Sequence, residues 1–224
     1  MAAESGQLRL FIAIELPDDV KRALADTIAL LRNATPRDAA RWVRVDGIHL
    51  TLKFLGSTPT ARVDEISDAL SASVAAMPAF DVQPEGLQAF HGSRGGPHEF
   101  RRGRESYPHN ITVVFTGIGR GADESIAVAQ HVEDAIAPLG YPTERRAFFP
   151  HLTLARVPRT AGRDTRIALS NALGPFFWHP RYDEKPVALP AIPSFRADRV
   201  SLMQSTLRPS GAEYAAVSEA ALRA

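Results

Sequence analysis

The chain has 224 residues, 45% hydrophobic and 23% charged, the make-up of an ordinary globular protein long enough to bury a core. Its 26 basic and 25 acidic residues leave a formal charge of +1, so any binding to a polyanion or membrane surface must come from a local patch. The absence of cysteine excludes disulfides, thiolate nucleophiles, iron–sulfur clusters and Cys-type zinc sites, and fits a reducing compartment.

Residues 1–7 have no basic region leading into an apolar run, and no stretch approaches the ~18 apolar residues of a membrane span. A cytoplasmic, soluble monomer without a membrane partner is expected.

Residues 8–16 alternate, with Leu8, Leu10, Ile12, Ile14 and Leu16 on one side and Arg9, Phe11, Ala13 and Glu15 on the other, which predicts a half-buried strand. Pro17-Asp18-Asp19 then supplies a rigid entry and an acidic first turn to a helix marked by Val20, Leu24, Ile28 and Leu31. Thr35-Pro36 ends it. Residues 42–45 and 48–55 read as strands and 56–59 as a turn; Val63, Ile66, Leu70 and Val74 mark a second helix, and 80–82 a short strand.

The second half repeats this order. Residues 111–118 form a β-rich run, Ala129, Val132, Ile136 and Leu139 mark a helix closed by Gly140, and 148–157 is again a strand. A weaker helix is expected over 165–173, then a hairpin from 199–207 and 213–217 turning at Pro209-Ser210-Gly211. Strand, helix, strand, twice over, predicts two similar lobes, and packing about a pseudo-two-fold axis would face the two final strands across one cleft.

Those two strands carry the chemistry. His49-Leu50-Thr51-Leu52 recurs as His151-Leu152-Thr153-Leu154. In a strand, each histidine and threonine share one face and both leucines the other. An isolated His-x-Thr is commonly a hydrogen-bonded structural residue, but two copies at the same place in repeated units suggest an acid and a base, since imidazole titrates near neutrality. Opening a cyclic phosphodiester needs a base for water, an acid for the departing oxygen, and donors for the charge on the non-bridging oxygens. Two histidines and two threonine hydroxyls provide them. No further His or carboxylate grouping has metal-ligand spacing, so neither metal nor cofactor is expected.

The two motifs, together with residues 10–17, Lys53-Phe54-Leu55-Gly56, and Leu202, Ser205, Leu207, Gly211 and Tyr214, resemble the two-histidine phosphoesterases, in particular the RNA 2′,3′-cyclic phosphodiesterase or 2′-5′ RNA ligase family. The resemblance spans nearly the whole chain. It implies one α+β domain over 1–224, two pseudo-symmetric lobes of antiparallel sheet with outer helices around a central cleft. It also implies metal-independent hydrolysis of RNA or nucleotide 2′,3′-cyclic phosphate ends to 2′-phosphates, with ATP-independent 2′-5′ ligation in some members. By position, His49 becomes the proton donor, His151 the proton acceptor, and Thr51 and Thr153 their companions. The near-identity of the motifs leaves the reverse assignment of acid and base open. A relative acting on ADP-ribose 1″,2″-cyclic phosphate, or a non-catalytic module holding RNA ends, are the alternatives.

Further candidates surround the motifs. Arg156 follows the second motif, where the family often has a phosphate-binding arginine, but strict alternation puts it opposite His151, so that role requires a bulge or the strand's end. Phe11 reads either as core or as a base-stacking surface. Lys53 shares the His49 face by alternation and reads as a phosphate contact or an exposed lysine. His131 and His179 read as surface residues. The stretch 91–109, with Arg94, Arg101, Arg102 and Arg104 and no apolar period, departs from the family pattern. It is a solvated loop or a basic flap in which Arg101 and Arg102 hold RNA phosphates.

Overall fold

The computed structural model describes residues 6–92, 110–177, 186–209 and 211–224. In chain order its elements are β1 (Gln7–Glu15), α1 (Asp18–Ala34), β2 (Arg41–Trp42), β3 (His49–Pro59), α2 (Val63–Val74), β4 (Phe80–Val82), β5 (Pro84–His91), β6 (Ile111–Ile118), α3 (Ala122–Ile136), β7 (His151–Arg156), α4 (Arg163–Leu173), β8 (Phe195–Ala197), β9 (Arg199–Arg208) and β10 (Gly211–Ala221). The fold is α+β, with two four-stranded antiparallel sheets in the orders β10-β9-β1-β3 and β2-β7-β6-β5 and a small β4-β8 pair.

Each sheet buries one face under amphipathic helices. Helix α1 turns Val20, Leu24, Thr27, Ile28 and Leu31 inward, α2 turns Ile66, Leu70 and Val74, and α3 turns Val128, Ala129, Val132 and Ile136. Each fully buried Leu or Ile stabilises the fold by roughly 1.5–3 kcal/mol. Gly140, at φ +85, ends the turn after α3 in a left-handed conformation where a side chain would be strained.

The two motif strands close matching units, β1-α1-β3 and β6-α3-β7, but the lobes are not the two halves of the sequence. The C-terminal hairpin completes the sheet of the first motif, while β2, from the first half, pairs with β7 beside the second. Three further departures from the sequence reading follow from pairing. The strand expected over 42–45 shortens to Arg41–Trp42 and passes into a turn at Val45–Gly47. The turn expected over 56–59 is strand, because β3 stays paired with β1 out to Gln7 and Pro59 while Gly56 absorbs a φ of +76. Strand β1 is not half-buried: Phe11 and Ala13, on its second face, pack with Met203 in a separate cluster.

The feature that positions the site is a β-bulge immediately after each threonine. On β3, Ala13 pairs with Thr51 and Ile12 with Lys53, so Leu52 is an extra residue. On β7, Phe115 pairs with Thr153 and Val114 with Ala155, so Leu154 is the extra residue. The six-residue segments from each histidine therefore have the same burial sequence, with two adjacent buried residues where alternation allows one.

This corrects the reading of Lys53. The bulge turns it away from the His49 face, and its side chain is 1% exposed. Its ammonium donates to Glu133 Oε2 at 2.8 Å and to the Pro142 carbonyl at 2.9 Å, while Glu133 Oε1 accepts the Glu144 N–H at 3.1 Å. Lys53 thus ties β3 to α3 and to the chain leading into β7. Lys53→Met leaves a largely buried carboxylate without its cation and is expected to cost about 3 kcal/mol, a fall in Tm of about 6–12 °C. Lys53→Met with Glu133→Leu should recover most of that loss in the same thermal unfolding experiment, because no unpaired charge remains.

Candidate active site

The two motif strands approach one another through β2, whose continuation donates from Val43 N–H to the Leu154 carbonyl at 2.9 Å. Between them lies a cleft of about 460 Å³ lined by His49, Thr51, Phe54, Thr153, Arg156 and Tyr214, among others. That volume suits a small-molecule ligand. His49, Thr51 and Thr153 line the cleft; His151 is not among its lining residues but stands close enough that its charge lowers the pKa of His49.

The two imidazoles are held alike. His151 Nδ1 lies 2.8 Å from the Phe149 carbonyl, two residues upstream, and His49 makes the equivalent backbone hydrogen bond to Gly47. A carbonyl can only accept, so Nδ1 is the protonated nitrogen of the neutral His151 ring and its Nε2 is left with a lone pair. Gly47 is needed for a second reason. A Cβ there would come within 2.9 Å of the Tyr214 ring, which packs edge-on against His49 with centroids 5.1 Å apart.

Their surroundings differ. His49 stacks on Phe11 at 4.6 Å with 29° between the planes, whereas His151 makes T-shaped contacts with Phe90 and Phe115, at 5.0 and 5.1 Å. Burial is the largest influence on both and disfavours the imidazolium. It brings His49 down from 6.5 to about 4, against the Gly47 hydrogen bond, with Arg156 and His151 adding repulsion. His151 is lowered by burial and by Arg156, opposed by the Phe149 hydrogen bond.

Arg156 enters the cleft because of the Leu154 bulge, which carries it back to the face of His151 and Thr153. It is exposed and has no carboxylate partner among the described residues. Phe11 lines the cleft but is 2% exposed, with its face against the His49 ring, so it supports the histidine and offers no free face to a base. The ring that is free is Phe54, 59% exposed, which alternation hides and the Leu52 bulge reveals. Phe54 stands at the same distance after His49 as Arg156 after His151, and that shared offset was the signal available in the sequence.

His131 is exposed on α3, with Nδ1 3.0 Å from the Ala127 carbonyl. His179, Arg94, Arg101, Arg102 and Arg104 lie outside the described residues, and with them the basic-flap reading. Among the described residues no three His, Cys, Asp or Glu side chains are grouped to hold a metal ion, and no helix is long and apolar enough to cross a membrane.

Residues 14–98 match the model of the family described as LigT like phosphoesterase. The RNA 2′,3′-cyclic phosphodiesterase of Thermotoga maritima is 25% identical over 207 residues, covering 92% of this chain and 91% of that protein. The protein of the same name from Geobacillus stearothermophilus is 29% identical over 147 residues, 65% of this chain and 41% of that protein. The crystal structure of E. coli LigT complexed with 3′-AMP aligns with a TM-score of 0.65 at 22% identity, covering 97% of this chain and 99% of that one, a likeness of fold.

The lowered pKa values link the site to stability. Each folded-state pKa lies below that of the unfolded chain, so unfolding takes up protons as the pH falls. The stability present above 6.5 is therefore lost below it, down to about 4 for His49. For His49 this amounts to on the order of 3 kcal/mol. Urea unfolding at pH 7 and pH 4.5 should show the loss in the wild type, and a smaller one in His49→Phe, which keeps an aromatic ring against Phe11.

Proposed function

We propose that the chain acts as a LigT-like phosphoesterase, the family whose model its residues 14–98 match, and that it opens the 2′,3′-cyclic phosphate of RNA or nucleotide ends to a 2′-phosphate by metal-independent acid–base catalysis. The observation that supports this most is the pair of imidazoles, each held by a backbone hydrogen bond to the residue two positions upstream, beside one cleft that also holds two threonines and an arginine without a carboxylate partner among the described residues.

In the proposed reaction, His151 Nε2 takes a proton from water as its oxygen bonds to phosphorus. The bond from phosphorus to O3′ breaks, and His49 Nε2–H gives that oxygen its proton. Arg156 and the Thr51 and Thr153 hydroxyls meet the charge on the non-bridging oxygens. What surrounds each histidine supports this direction of proton flow. Phe54, on the His49 strand, is the free ring for a nucleobase, which sets the ribose and its leaving oxygen on the His49 side. Arg156, on the His151 strand, draws the phosphoryl oxygens and the attacking water to the other.

His49 is neutral in the empty cleft at neutral pH; the phosphodiester anion supplies the negative charge that favours its protonation. A 5′-hydroxyl taking the place of water would form a 2′-5′ linkage by the same two proton transfers, so ligation is part of this proposal.

Purified protein in EDTA should convert 2′,3′-cyclic AMP to 2′-AMP; loss of activity on chelation would contradict the metal-free mechanism. His49→Ala and His151→Ala should each lower the rate by ~10²–10⁴. Phe54→Ala should raise KM roughly 5- to 100-fold. Because kcat/KM reports the free enzyme, whose two histidines both titrate below 6.5, its pH profile should be a bell with its maximum on the acid side of 6.5. A value still rising above pH 7 would contradict these roles.

A further inference from the structure

The cleft does not end at Phe54. It continues to a second end formed by Arg9, Gly56, Ser205 and Leu207, which the chemistry above leaves unused. Arg9 precedes Phe11 by two residues on β1, so it stands on the same face, about 7 Å further along the strand. Its side chain is exposed and has no ion-pair partner among the described residues, whereas Arg208, on the adjacent hairpin, is paired with Glu213 at 3.3 Å. Leu207 beside it is 71% exposed.

We propose that Arg9 binds the phosphate on the 5′ oxygen of the nucleotide whose cyclic end lies between the histidines. The inference rests on the reading of the cleft as a cyclic-phosphate site. With phosphorus at the histidines and the base on Phe54, the 5′ oxygen leaves toward the Arg9 end of the same cleft. The exposed guanidinium without a carboxylate partner is suited to a phosphate. That phosphate is either the monoester of a 5′-phosphorylated mononucleotide or the diester to the preceding nucleotide of an RNA. The apolar surface of Leu207 beyond Arg9 favours the second, because it lies where the preceding base would pass.

The test is a titration of wild type, Arg9→Ala and Arg9→Lys with adenosine 2′-phosphate, adenosine 2′,5′-bisphosphate, and the adenylyl dinucleotide bearing a terminal 2′-phosphate. In the wild type the 5′ phosphate should tighten binding about 10-fold. Arg9→Lys should keep part of that gain and Arg9→Ala should lose it, with a salt dependence of log K shallower by about 0.7. A gain with the dinucleotide identifies an RNA chain as the occupant, and a gain confined to the bisphosphate identifies 5′-phosphorylated mononucleotides. Equal weakening of all three ligands in Arg9→Ala, or a gain that survives it, overturns the proposal. Failure of the cyclic-phosphate reading is seen separately, as absence of turnover of 2′,3′-cyclic AMP by the wild type.

Discussion

One extra residue after each threonine determines what this cleft contains. A regular strand would place Lys53 beside His49 and Thr51, and would turn Phe54 and Arg156 away from the histidines. The bulges at Leu52 and Leu154 reverse all three assignments at once. Lys53 goes inward to Glu133 and the Pro142 carbonyl, where it braces the first motif strand against the segment leading to the second. Phe54 and Arg156 take the vacated cleft positions, so each wall carries a histidine, a threonine and a third group, which in the proposed reaction meets a different part of the nucleotide.

The walls are alike in backbone and unlike in dressing. Each imidazole has a backbone hydrogen bond to the residue two positions upstream, yet one ring stacks on Phe11 and the other makes T-shaped contacts with Phe90 and Phe115. One wall ends in an aromatic ring and the other in a guanidinium. In the proposed reaction a pseudo-symmetric pair of imidazoles serves two different ends of one step, because the nucleobase and the phosphate distinguish the walls.

Much of this was legible in the sequence, and what was not has a common cause. The strand at residues 8–16, though not the burial of its second face, the helix over 18–34, the closing Gly140 and the two motifs all depend on neighbours within a few residues, and local pattern reads them well. Lys53 was misplaced, and Phe54 passed over, because counting faces assumes one residue per strand step, and nothing at Leu52 announces a bulge. The exchange of β2 and the C-terminal hairpin between lobes was hidden for another reason: pairing partners far apart in sequence leave no periodic signal. Arg156 shows how a parity conflict is useful, since the demand for a bulge arose from the sequence itself.

The central claim is that Phe54 and Arg156 fix the orientation of a cyclic phosphate between otherwise equivalent histidines. The most direct measurement is the identity of the phosphomonoester released from 2′,3′-cyclic AMP, followed by phosphorus NMR during turnover. A fixed orientation predicts 2′-AMP as the single product, with O3′ always the leaving oxygen at His49. A mixture of 2′- and 3′-AMP, or 3′-AMP alone, would contradict it.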